Sequence, residues 1–493
     1  MSERQPEPSQ VGEWRLAPLT FAVLLLTVST GMASGAWNTP PVPAGPNRPV
    51  ELPAPPAPKG TPAPVIPEDL LKPGASLTLA QVVDIALQNN PETRTSYLLA
   101  LSAAAQLGSK RAPYYPSVGV SASGTRTNQP QDATVTETQD IYAGAVGLAY
   151  LLLDMGGRSA NVDDARFGLL AADWTHNATI QNVILAVETT YVQYVNAKAQ
   201  IEAAQSTVKS AEAALEAATV RHDAGVGTIA DVLQAKTALS QAQLSLQTFQ
   251  GQVLVLRGEL ATAMGLPADT PYDVGVLPAE VPLDRGTEAA DKLIATARLR
   301  RPDLAAARAL TEKAEAHVRS VRSDGLPTLS LFADANRTYL SPAIPFDARN
   351  NWSASLLLTF PLFTGFANSY DIKKAKADAA VARSQADTLE QQVILEVWTS
   401  YYFLQTATQL VKTSRDLLAS AEQSERVALG RYKEGVGTII DLLTAQSALA
   451  TARSQDILAR SGWFIALAQL ARDTGTTAPL DQPITVLKES RTQ

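Results

Sequence analysis

The chain has 493 residues, no cysteine, three histidines and a formal net charge of −7 at pH 7. The absence of cysteine excludes disulfides, thiolate metal sites and a lipid anchor on cysteine, and the negative charge, without any local run of lysine and arginine, argues against nucleic-acid binding. The sequence also lacks an H-x-x-x-H pair, a G-x-S-x-G elbow and a phosphate-binding glycine loop, so it predicts no enzyme, no metal site and no cofactor.

The N-terminal segment has the pattern of an export signal. Its apolar run, Leu16–Val28, is too short to cross a hydrocarbon core of about 30 Å as a helix. The small residues Ser34 and Ala36 suit a signal peptidase, so we expect residues 1–36 to be a signal peptide. The acidic residues upstream of the run are atypical of such a signal, and a buried core helix is the alternative.

Proline dominates the next segment, residues 37–69. This segment lacks the apolar residues of a core, and we expect it to be an extended spacer ahead of the first structural unit. At the other end of the chain, residues 476–493 are expected to form a C-terminal tail.

The rest of the chain is a tandem duplication. The segment RHDAGVGTIADVLQAKTALSQA starts at Arg221, and RYKEGVGTIIDLLTAQSALATA starts at Arg431, 210 residues later. Other landmarks, including the prolines that follow the first helix of each half, align with nearly the same offset. A near-constant register over several landmarks predicts two long structural repeats, residues 70–285 and 286–475.

Each repeat is predicted to contain a short helix, a second helix, two strands, a very long helix and a last helix, in that order. We expect the strands at about 115–152 and 327–363, and the long helical hairpins at 158–265 and 368–475. A helix of about 65 residues without proline would be about 97 Å long at 1.5 Å per residue. Helices alone leave a coiled coil as the alternative.

The strands favour a membrane barrel over a coiled coil. Trp352, Leu356 and Leu358 alternate with Ser353 and Ser355, and the other strands alternate in the same way. Segments of about ten residues with one apolar and one small or polar face are typical of outer-membrane barrels, whereas two soluble hairpins are the alternative. Four strands cannot enclose a lumen, and lipid does not tolerate open strand edges, so three copies would have to pool twelve strands.

These features resemble the TolC family of outer-membrane efflux and secretion channels. The resemblance covers Leu77–Thr474, and the two copies of the glycine-containing segment are its most specific part. It implies a mainly α fold with a transmembrane β-barrel, built as a trimer with a barrel of twelve strands and a periplasmic tunnel of twelve helices. It also implies the outer membrane of a Gram-negative bacterium as the location, and outer-membrane lipid, a periplasmic membrane-fusion adaptor and an inner-membrane transporter, antiporter-type or ATP-driven, as partners.

The repeated glycine turns are the candidate site. Glycine suits a reversal between antiparallel helices because it adopts positive φ, and a threonine just before a helix suits an N-cap. The resemblance places these turns at the periplasmic tips, where an adaptor docks. The predicted docking residues are Gly225, Val226, Gly227 and Thr228 in the first repeat, and Gly435, Val436, Gly437 and Thr438 in the second.

Two aspartates and a tyrosine are the predicted entrance residues. Asp231 and Asp441 fall in the first turn of a helix, where a carboxylate favours the helix dipole, and this structural role is one interpretation. In a trimer they would instead form rings of negative charge that favour cations. The resemblance implies an acidic constriction here and matches Tyr432 to a gating position of some relatives. Gly437 and Thr444 replace a gate arginine and a second aspartate of some members, which implies a weaker closure and cation block.

The predicted function is a passive conduit for small toxic compounds in a tripartite efflux system. A channel for type I protein secretion is the alternative, because a wide duct passes both kinds of cargo. A trimeric structural or adhesive stalk is a further alternative, although a stalk does not need helices that double back at two matching turns.

Overall fold

The computed structural model describes residues 76–476, apart from 133–134, 277, 279–280, 284–287 and 342–346. The predicted signal peptide, the spacer and all but Thr476 of the tail lie outside the described residues. The first half comprises β1 (Ser76–Leu77), α1 (Leu79–Asn89), α2 (Pro91–Lys110), β2 (Ser117–Asp132), β3 (Val135–Leu153), α3 (Gly157–Asp223), α4 (Ile229–Ala263) and β4 (Asp273–Val274). The second half comprises α5 (Ala290–Arg300), α6 (Pro302–Ser323), β5 (Thr328–Ser341), β6 (Asp347–Thr359), α7 (Ala367–Lys433) and α8 (Ile439–Asp473).

The order of elements confirms the predicted tandem repeat of helix, helix, strand, strand, long helix and helix. The duplication extends to the backbone. Helices α3 and α7 each have 67 residues, and α4 and α8 each have 35. Each long helix also follows two consecutive left-handed residues, Met155 (φ 50°) and Gly156 (φ 93°) in one repeat and Gly365 (φ 63°) and Phe366 (φ 68°) in the other. Both repeats therefore make the same backbone bend before the long helix, although the glycine is the second left-handed residue in one repeat and the first in the other.

The two shorter helices of each repeat meet end to end beside a long helix. Asn90, just before α2, donates a hydrogen bond from Nδ2 to the carbonyl of Ala263, the last residue of α4, at 3.1 Å. Gly265 (φ +75°) ends α4 so close to this junction that an added Cβ would lie 2.5 Å from the carbonyl oxygen of Asn89. Gly475 (φ +70°) makes the same close approach after α8. Helices α2 and α4, of 20 and 35 residues, therefore together run along the 67-residue helix α3.

The helices pack in one lateral order along the molecule. Next to the sheet, α2 packs on α3, α3 on α6 and α6 on α7. Toward the glycine turns, α4 packs on α3, α3 on α8 and α8 on α7. The pair α2 and α4 therefore forms one lateral edge of the chain, and α7 forms the other.

The largest hydrophobic core lies near the middle of the long helices. Helix α1 buries Val82 and Ile85 against Val187 and Tyr191 of α3, and the fully buried Trp463 of α8 joins the same cluster. The short strands β1 and β4 pair in parallel and contribute to this core. Among the residues that the structure describes, no helix is both long enough and apolar enough to cross a membrane.

The strands form one antiparallel sheet in the order β2-β3-β5-β6, so the two repeats are joined through β3 and β5. The register brings most of the apolar side chains of the four strands to one face, because Val120 lies opposite Val146, Val146 opposite Ala335 and Ala335 opposite Trp352. We call this the apolar face. Between the register shifts at Pro130/Asp132 and Leu151/Leu153, it comprises the even-numbered residues of β2, β3 and β6 and the odd-numbered residues of β5.

The opposite face, the polar face, is built largely from small and polar residues. It includes Ser121 opposite Ala145 on the first two strands and Asp334 opposite Ser353 on the last two. Ser353 Oγ donates a hydrogen bond to Asp334, and Asn336 Nδ2 lies 3.4 Å from its other carboxylate oxygen. The two faces of the sheet therefore differ as the sequence predicts for strands between lipid and water.

Candidate functional site at the glycine turns

The two long helices end in turns of the same geometry. The amides of Val226 and Gly227 both donate to the carbonyl of Arg221, at 2.9 and 3.0 Å, and Gly225 N donates to the carbonyl of His222 at 2.9 Å. The second turn has the equivalent bonds to Arg431 and Tyr432. This is the Schellman pattern, which satisfies the last carbonyls of a helix and requires a left-handed residue after it.

The two glycines of each turn have different reasons to be glycine. Gly225 (φ 75°) and Gly435 (φ 78°) are the left-handed residues. Gly227 and Gly437 do not have positive φ, so the expectation that all four glycines supply this freedom is wrong. Gly227 and Gly437 instead have no room for a side chain. A Cβ at Gly227 would lie 3.1 Å from His222 N, and a Cβ at Gly437 would lie 3.2 Å from Tyr432 N.

Each turn is followed by a complete capping box. Thr228 Oγ1 accepts from the amide of Asp231 at 3.3 Å, and an Asp231 carboxylate oxygen accepts from the amide of Thr228 at 3.0 Å. Thr438 and Asp441 repeat the arrangement at 3.1 Å for both bonds. Both aspartates therefore stabilise a helix start, and this role coexists with any role of their charge.

Asp441 is exposed, and its surroundings favour the ionised carboxylate. The hydrogen bond from the Thr438 amide, followed by that from the Thr438 hydroxyl, lowers the pKa of the Asp441 carboxyl below its ordinary value, and the nearby charge of Arg431 acts in the same direction. At neutral pH the start of α8 therefore carries a fixed negative charge.

Sequence symmetry hides a difference between the two turns. Tyr432 and Ile439 are each 3% exposed, whereas Ile229, the counterpart of Ile439, is 56% exposed. The two buried side chains join a cluster with Leu442, Ala214 of α3 and Ala235 of α4. The second turn thus packs onto the first helical hairpin, and alanines at the contact allow the close approach.

Arg221 bridges the two turns. Its Nη1 donates a hydrogen bond to the carbonyl of Tyr432 at 2.9 Å, and its guanidinium carbon lies 5.1 Å from the centroid of the Tyr432 ring. Burial raises the pKa of the Tyr432 hydroxyl, with an opposing effect of Arg221 and a smaller contribution from Asp231 in the same direction as burial. Sequence reasoning singled out Tyr432 but missed Arg221, although an arginine begins the repeated segment in both halves.

The apex of each turn is exposed and apolar, although charged residues such as Lys433 and Glu434 flank it. Val226 is 66% exposed and Val436 is 69% exposed. These two valines stand at the apex of their turns, between glycines whose backbone is accessible. Within the described part of the chain, no group of three or more histidine, aspartate or glutamate side chains is arranged to hold a metal ion.

Comparison with known proteins decides the family. The model of the family described as outer membrane efflux protein matches residues 82–266 and 293–476, one match for each repeat. The chain belongs to the outer membrane efflux protein family. It is accordingly an outer-membrane channel protein of a Gram-negative bacterium, in a family of transport proteins whose members work with adaptor and inner-membrane pump partners.

Similarity to individual members extends over most of the chain. Protein CyaE of Bordetella pertussis is 30% identical over 415 residues, which are 83% of this chain and 86% of CyaE. The probable efflux pump outer membrane protein TtgC of Pseudomonas putida is 25% identical over 386 residues, 76% of this chain and 78% of TtgC. The structure of VceC from Vibrio cholerae has a TM-score of 0.71 at 21% identity and covers 80% of this chain and 96% of VceC, which supports the fold.

Proposed function

We propose that this outer membrane efflux protein forms a homotrimer that serves as a passive conduit for small toxic compounds. In this proposal a periplasmic adaptor docks at the glycine turns and an inner-membrane transporter supplies the energy, so the chain itself catalyses no reaction. The observation that carries the proposal is the pair of open lateral edges, which run in the same order through the sheet and the helices.

Among the described residues, the sheet ends in strands β2 and β6, each of which has one edge without a partner strand. The helical layers have α2 and α4 on the β2 side and α7 on the β6 side. Large apolar side chains are exposed along both helical edges; they include Tyr97, Leu101, Leu244 and Leu254 on the first edge and Leu395, Trp398, Phe403 and Leu410 on the second. One edge of a chain would therefore pack against the other edge of the next chain, and such a head-to-tail contact closes into a ring.

Membrane physics supports three chains in this ring. An open strand edge in lipid leaves amide and carbonyl groups without partners, so β2 and β6 must pair with other chains. A barrel of about eight strands is filled by its own side chains, whereas twelve strands leave a lumen. With the apolar face toward lipid, the polar face lines the water-filled interior.

The cargo is proposed from the relatives and from the chemistry of the polar face. TtgC is described as a probable efflux pump protein. The proposed lining has few charged side chains, so it would let compounds of varied structure pass without binding them tightly. Deleting the gene should make cells accumulate toxic small molecules that wild-type cells export. Normal export of such compounds, together with retained secreted proteins, would contradict the proposal in favour of a secretion channel.

The aspartate rings predict a measurable cation preference. In the trimer, Asp441→Asn would remove three charges at the entrance while its amide oxygen still caps α8, so the fold is retained. We expect block by divalent cations in planar bilayers to weaken by about tenfold, because the ring of negative charge that attracts the cations is lost. In the wild type, the lowered pKa should preserve the block until the pH falls below the ordinary aspartate value of 3.8.

The control for this measurement is Asp269→Asn, which changes an exposed aspartate outside the turns. Its divalent block should equal that of the wild type. Unchanged block and unchanged ion selectivity in Asp441→Asn would remove the charged ring from the proposed mechanism.

Adaptor docking predicts that the valines at the turn apices are essential. Bulky substitutions at Gly227 or Gly437 are a poor test, because an added Cβ disturbs the turn backbone itself. Val226→Asp combined with Val436→Asp leaves the turns intact and places charges on the proposed docking surface. We expect export to fall by at least about tenfold, since docking would bury the new aspartates without a positive partner, which costs several kcal/mol per charge.

The matched control is Val276→Asp, which makes the same change at a residue that is also highly exposed but lies after β4. Trimer content and outer-membrane insertion should be normal in all variants. Export at the wild-type level in the double variant, measured by accumulation of a fluorescent substrate, would argue that the adaptor contacts another surface.

A further inference from the structure

The apolar face ends in tyrosines and arginines at the hairpin end of the strands, remote from the helices. Tyr142 lies opposite Tyr339, and one row further along, Arg126 lies opposite Asp140. One row on the other side of the tyrosines, Arg337 lies opposite Gly144. The apolar face thus changes to polar chemistry over three rows of residues.

The two arginines of this boundary are in different electrostatic situations. Arg126 is paired with Asp140 through two hydrogen bonds, Nε to Oδ1 at 2.7 Å and Nη2 to Oδ2 at 2.9 Å. Arg337 is exposed, and its guanidinium carbon lies 5.2 Å from the centroid of the Tyr339 ring. Among the described residues no carboxylate lies within ion-pair distance of Arg337. Within the part of the sheet that the structure describes, one positive charge of the boundary therefore has no negative partner.

The surface beside Arg337 is recessed. Its neighbours across the sheet are Gly144 and then Ala122, and a Cβ added to Gly144 would meet no atom within 4 Å. Tyr142 covers the next glycine along β2, since a Cβ at Gly124 would lie 3.4 Å from its ring. The missing side chains leave a shallow depression, with the Tyr142 ring on its hairpin side and Arg337 at its end.

The height of this recess matches the boundary of a bilayer. Leu329 and Tyr339 mark the two ends of the apolar residues on β5, and ten residues at about 3.3 Å each span about 33 Å along the strand. A strand tilted by about 40° then covers about 25 Å of membrane thickness, the usual height of the apolar band in such barrels. Because the helices lie at the other end of the strands, the recess faces the outer leaflet.

We propose that Arg337 and the adjacent recess bind the phosphate group of a lipid headgroup in the outer leaflet. This inference rests on the proposed function, because it requires the apolar face to contact lipid. The planar guanidinium matches two phosphate oxygens in a bidentate contact, and the Tyr339 ring holds it in place. Tyr142, across the recess from Arg337, would lie at the membrane interface, where aromatic rings contact both the headgroup and the acyl chain.

The test uses the full-length protein purified as a trimer in neutral detergent, with diphosphoryl lipid A as the probe. Native mass spectrometry measures the lipid retained per trimer as the lipid concentration is varied. Arg337→Gln should weaken retention by about tenfold, because the charge-assisted contact with the phosphate is lost. Lipid A without phosphates should bind the wild type as weakly as diphosphoryl lipid A binds the variant.

Arg349→Gln is the matched control. Arg349 lies opposite Thr338, so it belongs to the same strand pair at nearly the same height but to the polar face. Its replacement removes an equal charge and should leave retention unchanged. Equal retention by wild type and Arg337→Gln, or by the lipids with and without phosphate, would overturn the inference, as would full displacement of the lipid by millimolar inorganic phosphate.

Channel conductance in planar bilayers distinguishes a failure of the headgroup site from a failure of the proposed function. A wild-type trimer that inserts and conducts, but whose lipid retention does not depend on Arg337, would refute the headgroup site alone. A wild-type protein that neither inserts nor conducts would refute the proposed function and the headgroup site with it.

Discussion

Replacing Arg301 by alanine is expected to lower the free energy of unfolding by about 3–5 kcal/mol, the usual cost of breaking a buried ion pair. The Arg301 side chain is only 3% exposed and lies at the junction between α5 and α6. It donates hydrogen bonds to Asp303 at 2.5 and 3.0 Å and to Glu396 of α7 at 2.5 Å. Without the guanidinium, these partly buried carboxylates lose a positive partner that is itself almost fully buried.

The network extends to the end of α8. Arg472 lies 3.1 Å from Glu396 and 3.0 Å from the buried carboxylate of Asp473, which is 4.0 Å from Arg301. Five charged groups thus join α6, α7 and α8 at the level where α6 and α8 meet end to end. A single deletion disturbs all three helices, which is why we expect an effect at the upper end of the range for point substitutions.

The first repeat supplies the matched control for Arg301→Ala. Asn90 takes the place of Arg301 there, and it bonds the Glu92 amide at 2.8 Å and the Ala263 carbonyl without any charge. Asn90→Ala should cost about 1 kcal/mol, the typical value of an N-cap. Both variants can be measured by guanidinium unfolding followed through the helical circular dichroism signal. Equal losses in the two variants would mean that the ionic network adds nothing beyond a neutral cap.

The pH dependence offers a second readout of the same network. Burial alone would raise the pKa of Asp303, but the hydrogen bonds and charge of Arg301 outweigh it and lower the pKa below 3.8. A folded-state pKa below the unfolded value stabilises the fold above the unfolded value, and this contribution is lost as the pH falls through the folded value. Without Arg301, burial would raise the pKa of Asp303 above 3.8. The stability difference between wild type and Arg301→Ala should therefore be constant near neutral pH and shrink as the pH falls through the variant's raised pKa and on below 3.8.

Repetition and periodicity are sufficient to predict most of this fold. Prolines and glycines mark the helix ends directly, because Pro91 and Pro302 each begin a helix and the left-handed Gly225 and Gly435 follow one. Alternation along each strand predicts which residues share a face within that strand. It does not predict that β3 pairs with β5, since this order depends on how the two repeats pack.

The site was less predictable because its asymmetry arises from packing between the repeats. His222 and Tyr432 occupy equivalent positions, yet only the tyrosine is buried, because the second turn lies against the first hairpin and not the reverse. The partners of Arg301 illustrate the same limit, since Glu396 is 95 residues away in the sequence. Neither contact follows from a local pattern, and both require the lateral order of the helices.

Removal of the Arg221 bridge is expected to open the proposed entrance. Arg221 connects the first turn to the second through its hydrogen bond to the Tyr432 carbonyl and through its position over the Tyr432 ring. Because Gly437 stands where the resemblance implies a gate arginine, Arg221 offers a closing contact from the other repeat. A hydrogen bond from a charged group is worth about 1.5–3 kcal/mol, so Arg221→Ala should shift the open-to-closed equilibrium by about tenfold or more in each subunit.

Two variants separate this bridge from other effects at the turns. Tyr432→Phe keeps the ring and the carbonyl that Arg221 contacts, so its open probability in planar bilayers should remain near that of the wild type. Arg431→Ala removes the equivalent arginine of the second repeat, which lies beside Asp441, and is expected to change ion selectivity without opening the channel. An open probability of Arg221→Ala equal to that of wild type would show that the bridge only supports the turn. A large opening in Tyr432→Phe would assign the closure to the tyrosine hydroxyl, because the main-chain bond from Arg221 is still present in that variant.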